Sequence, residues 1–110
     1  MKNICSVNDI LTRLQAAAKE NNIKMTFSNS KVYLKMLDFA CDSQNSITSN
    51  KGVRFSCTTL ELAEYCSVSA RIVAESLHKF ADCGIIKYTV NTPSPSVVMM
   101  YKEFYEKRSV

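Results

Sequence analysis

The sequence predicts an α+β domain, mostly helical, that closes with a β-hairpin. Three observations lead there. Apolar residues recur at three- and four-residue spacing in successive stretches, residues suited to capping punctuate the region 58–84, and two short β-prone runs flank the proline-containing segment Asn91 to Ser96. A chain of 110 residues is the length of one domain, large enough for a hydrophobic core but too short for a second lobe. With 46% apolar and 22% charged residues it has the composition of a chain that folds.

The first helix is expected from Ser6 to about Glu20, where Ile10, Leu11, Leu14, Ala17 and Ala18 form one apolar stripe. Ser6 or Asn8 suits its cap, and Asn21 with Asn22 favours a stop. Ser28, Asn29 and Ser30 precede Val32, Tyr33, Leu34, Met36, Leu37, Phe39 and Ala40, so a second helix should begin at these caps. Apolar on more than one face, that helix belongs at the centre of a domain or at a dimer interface. From Asp42 to Lys51 the chain is rich in Ser and Asn and reads as a solvated loop, ahead of a short strand from Gly52 to Cys57.

Thr58-x-x-Glu61 has the spacing of a capping box, so a third helix should start at about Thr59 and break at Ser67-Val68-Ser69. Ser69 then caps a fourth helix from Ala70 to about Cys83, with Val73, Leu77 and Phe80 facing the core and Gly84 ending it in a left-handed conformation. Ile85 and Ile86 lead into a strand through Val90, Asn91 to Ser96 turns the chain, and Val97 to Tyr101 returns. Tyr101 to Arg108 is expected to form a short helix with Tyr101, Phe104 and Tyr105 on one side, closing the core or meeting a partner.

The run T-x-x-E-L-A-x-x-x-x-V-S-x-R-x-V-x-x-x-L-x-x-F-x-x-x-G-I-I, residues 58–86, followed by a hairpin, resembles the winged helix-turn-helix DNA-binding family. The resemblance implies a single winged-helix domain over residues 1–110, with an N-terminal helical arm (1–27), the helix-turn-helix (58–84) and a wing (85–101). It implies a recognition helix, Ala70 to Cys83, whose N-terminal residues approach base edges in the major groove while the wing tip reaches phosphate or the minor groove. Expected DNA contacts are Ser67, Ser69, Ala70, Arg71, Glu75 and Lys79 around that helix, Thr92 and Ser94 in the wing, and Lys51 and Arg54 as alternative phosphate contacts. Arg71 and Lys79 suit a phosphate or a guanine edge, or stand as solvated charges. Ser96 could join the wing hydroxyls, although the segment equally suits an ordinary hairpin turn.

Where the family often carries Arg, Thr or Lys, this chain has Ala70, Ile72 and Ala74. Such an apolar face either touches thymine methyl groups or is buried against a second subunit, and the second reading is preferred because the core stripe is already supplied. The expected dimer face comprises Ile72 and Ala74 with Leu11, Leu14 and Tyr33. An apolar recognition helix, the chain size, the helical arm and Phe80 to Ile86 resemble the centromere-binding adaptors of tubulin-type plasmid partition. That subfamily implies a homodimer which coats repeated DNA sites and hands them to a filament-forming, tubulin-like GTPase. An ordinary transcriptional repressor, or a winged-helix protein-interaction module without DNA binding, are the alternatives.

Charge is mildly basic, +4 with a pI near 8.8, which assists binding to a polyanion without requiring it. No catalytic activity is expected, since His78 has no partner motif and no glycine-rich phosphate cradle occurs. Neither a metal nor another cofactor is expected: five widely spaced cysteines form no C-x-x-C pair, and His78 is the single histidine. Without a signal-like or membrane-spanning run the chain is expected in the cytoplasm, with reduced thiols and no membrane partner.

Overall fold

The computed structural model describes residues 3–42, 44, 46–90 and 96–108. Four α-helices and a four-stranded antiparallel sheet follow the order α1 (Val7–Glu20), α2 (Phe27–Asp42), β1 (Ile47–Ser49), β2 (Gly52–Cys57), α3 (Thr59–Cys66), α4 (Ala70–Asp82), β3 (Ile86–Thr89) and β4 (Ser96–Tyr101). A 3₁₀ turn at Lys102–Phe104 ends the described elements.

Strand order is β1-β2-β4-β3, so β4 pairs with both β2 and β3. Alternation along the strands gives the sheet one inner face, where Val53, Phe55, Cys57, Ile86, Val98 and Met100 are buried. The helices supply the other half of the core. In α2, Val32, Tyr33 and Met36 have no exposed surface, and Tyr33 meets Phe80 of α4 edge-on at 5.7 Å between ring centroids.

Several boundaries follow the local chemistry read from the sequence. Ser6 accepts from the Asp9 amide and opens α1. Thr58 and Glu61 exchange side-chain-to-backbone bonds of 3.1 and 3.0 Å, completing the capping box of α3. Gly84 follows α4 with φ +72°, the left-handed region in which a Cβ would be strained. At Gly52 the constraint is steric, because a Cβ there would run into the Met100 carbonyl of β4.

Three expectations are corrected. The Asp42 to Lys51 segment contains a strand, β1, which turns at Asn50-Lys51 and pairs Ile47 with Arg54 and Ser49 with Gly52. All three β1 residues are exposed, so no apolar alternation announces the strand. Helix α2 starts before Ser28: Thr26 and Asn29 cap each other's backbone amides at 3.0 and 3.2 Å, while Asn29 and Ser30 are buried. The segment after β4 forms a single 3₁₀ turn, with Tyr101 on the sheet and Tyr105 in the core. Its backbone bonds instead to the N-terminal segment, Cys5 N–H to the Tyr105 carbonyl at 2.8 Å and Lys107 N–H to the Asn3 carbonyl at 2.6 Å, which holds it out of a helix.

Candidate nucleic-acid interface

Helices α3 and α4 are joined by a tight turn whose first residue, Ser67, adopts a left-handed conformation (φ 57°) and donates its amide to the Glu64 carbonyl. Ser69 then caps α4, its hydroxyl accepting from Ile72 N–H at 3.2 Å. The amides of Ala70 and Arg71, in the first helical turn, have no carbonyl one turn back within the helix to receive them. The N-terminal end of α4 therefore presents free donors and the positive pole of the helix dipole, with the Ser69 hydroxyl at the cap and Ser67 exposed two residues before it. Arg71 is exposed there and has no ion-pair partner among the described residues; Ala70 is half-buried.

Further along α4 the expected contacts are engaged within the chain. Lys79 pairs with Glu75 at 3.1 Å and donates to the Lys24 carbonyl at 2.9 Å and to Asn29 Oδ1 at 3.0 Å. Its side chain is only 23% exposed, so Lys79 is a strut between α4 and the start of α2, not a free cation. Below it, Asn29 Nδ2 donates to the buried Ser76 hydroxyl, which in turn donates to the Ile72 carbonyl. Nothing in the apolar periodicity of α4 announces this network; the polar residue Ser76 inside the Val73, Leu77 and Phe80 stripe was its one signal.

The exposed side of α3 and α4 also carries Glu61, Glu64, Glu75 and Asp82, against Arg71 as its exposed cation. Basic residues that the sequence reading overlooked lie on α2. Burial pushes the Cys66 thiol up, and the ammonium groups of Lys35 and Lys31 oppose that shift, so both charges stand near the end of α3. Their spacing of four residues on one helix face was the available signal.

No protein-family model matches the chain, and no curated protein matches it significantly.

The other expected residues separate. Lys51 and Arg54 are exposed on the sheet side, and Arg54 points to the face opposite the helices, so they do not join Arg71. Thr92 and Ser94 lie outside the described residues. Of the expected dimer residues, Leu14 and Tyr33 have no exposed surface and belong to the chain's own core, because α1 and α2 turn their apolar faces onto the same interior. Ile72 is partly buried against that core, while Leu11 and Ala74 are half-exposed. The large apolar side chains left most open are Phe27 (83%) and Leu60 (68%). His78 is exposed beside Tyr88, and no helix is long and apolar enough to cross a membrane among the described residues.

Proposed function

We propose that the protein binds double-stranded DNA as a homodimer, in the manner of a winged helix, through the N-terminal end of α4. The succession α2, β2, α3, α4, β3, β4, with β4 seated between β2 and β3, supports a winged-helix reading in which β3 and β4 form the wing and α1 and β1 are additions. The observation that carries the DNA reading is the start of α4, where the first-turn backbone donors, the capping Ser69 hydroxyl and the exposed Arg71, without an ion-pair partner among the described residues, lie within one helical turn. Lys31 and Lys35 would supply phosphate contacts from α2. Because Glu75 and Asp82 follow on the same helix, only its first turn would enter the groove; the acidic length would stay outside.

Fluorescence-anisotropy titration tests this, using duplex from the gene's own upstream region against a scrambled duplex at several salt concentrations. Specific affinity that falls steeply with salt is expected from counterion release. Equal or negligible binding to both duplexes would refute it. The plasmid-partition setting further predicts cooperative binding on arrays of repeats and delivery of that array to a filament-forming GTPase; a repressor would instead cover one palindrome.

The acidic side of α3 and α4 favours a second reading, a protein-interaction module that engages a basic partner. It predicts no salt-dependent duplex affinity.

A further inference from the structure

The face of the sheet turned away from the helices has a composition unlike the rest of the surface. Across the strands, register aligns Ile47, Arg54, Met99 and Lys87 in one row. Strand alternation places Val97, Met99 and Tyr101 side by side on β4, all half-buried, with Arg54 and Lys87 on the two flanking strands. Neighbouring strands lie about 4.8 Å apart, so the two cations stand on the order of 10 Å from one another across Met99. Lys51, at the turn between β1 and β2, joins them around an open cleft of about 250 Å³. No acidic residue lines that cleft, and none of these cations has an ion-pair partner among the described residues.

We infer that this outer sheet face docks an acidic, apolar peptide segment of a partner protein, its carboxylates on Lys51, Arg54 and Lys87 and an apolar side chain over Met99. The charges call for an anion, and the stripe between them calls for hydrocarbon. A nucleic-acid phosphate backbone would satisfy the cations but strip water from Val97, Met99 and Tyr101 without offering them an apolar surface. A second copy related by a twofold axis would bring the same cations face to face. A peptide that alternates carboxylates with an apolar residue meets both needs, and methionine adapts its shape to such a guest. The site does not depend on DNA binding, since it lies across the sheet from α4.

A random-peptide phage library panned on the intact protein tests the proposal. Enriched peptides should combine Asp or Glu with Leu, Ile or Phe, and a labelled peptide made from them should bind in anisotropy. Arg54→Glu and Lys87→Glu, both exposed and checked for folding by circular dichroism, should each weaken it by at least about tenfold, as expected for like charges set opposite one another. Met99→Ser should weaken it also, and replacing the peptide's acids by their amides should reproduce the loss. Absence of enrichment, peptides without acids, or binding indifferent to Arg54→Glu would overturn the proposal. Loss of duplex affinity in both charge-reversed variants would assign the face to DNA instead. Self-association in sedimentation, abolished by Met99→Ser, would assign it to a second copy.

Discussion

Asn29 of α2 donates its amide to the Ser76 hydroxyl of α4 across 2.8 Å of buried space. The same Asn29 accepts, through Oδ1, from the Thr26 amide, the Thr26 hydroxyl and Lys79. One side chain thus starts α2, fastens α4 to it and anchors the only ion pair among the described residues. Replacing Asn29 by Ala strands several partners at once, so the loss should exceed that of an average hydrogen bond, at about 2–3 kcal/mol. Ser76→Ala should cost less, about 1 kcal/mol, and urea unfolding of the two variants and the double variant should reveal coupling between them. Additive losses would contradict the network.

Tyr33 presents the opposite case. Its hydroxyl is buried without a hydrogen-bond partner among the described residues, and burial drives its phenol far above the ordinary range, with Tyr105 and Cys5 adding to the shift. Tyr33→Phe keeps the ring against Phe80 and removes the orphan oxygen. The variant should match or exceed the parent in stability by up to about 1 kcal/mol. A clear fall in thermal midpoint would mean that the hydroxyl is satisfied after all.

Substitutions at Ser69 test folding separately from the proposed DNA binding. Ser69→Ala should lower stability by about 1 kcal/mol through the lost cap. Ser69→Asp retains a good cap, yet sets a carboxylate where a phosphate would lie, so unfolding should be nearly unchanged while duplex affinity falls. Duplex affinity equal to the parent's would remove the start of α4 from the interface.

Arg71→Ala should weaken duplex binding by about 1–3 kcal/mol if the contact is bidentate to a base. Lys31→Ala and Lys35→Ala should act alike on specific and scrambled duplex, each reducing the slope of log affinity against log salt by about 1. Salt slopes equal to the parent's would exclude α2 from phosphate contact.

Alkaline pH should loosen the fold. Burial holds the Cys57 thiol at about 12 instead of 9, and burial, with Glu106 adding to it, raises the Tyr105 phenol to about 12. These groups stay neutral in the folded chain at pH values where the unfolded chain already ionises them. Their stabilising contribution is therefore complete below their ordinary values and is lost as pH rises from about 9 towards 12. The thermal midpoint should decline across that window, less so in Cys57→Ala, whereas a flat profile would contradict both shifts.

Much of the fold was legible from residues acting on their own neighbourhood. Ser6, Thr58 with Glu61, Ser69 and Gly84 set helix ends through bonds or backbone preferences spanning one turn of chain, and such chemistry is written in local spacing. The buried stripe of α4 and the two strands of the closing hairpin were readable for the same reason, since apolar periodicity reports one element's own face. Tertiary structure decided what each apolar face meets. It sent Leu14 and Tyr33 into the chain's own core, paired the wholly exposed β1 with β2, and drew Lys79 from the expected interface into the Asn29 network. It also brought Lys87 of β3 across the sheet to Lys51 and Arg54, more than thirty residues earlier in the chain, around Met99. These outcomes depend on side chains separated by tens of residues, and burial, charge pairing and strand pairing are properties of the space between elements, which no local spacing encodes.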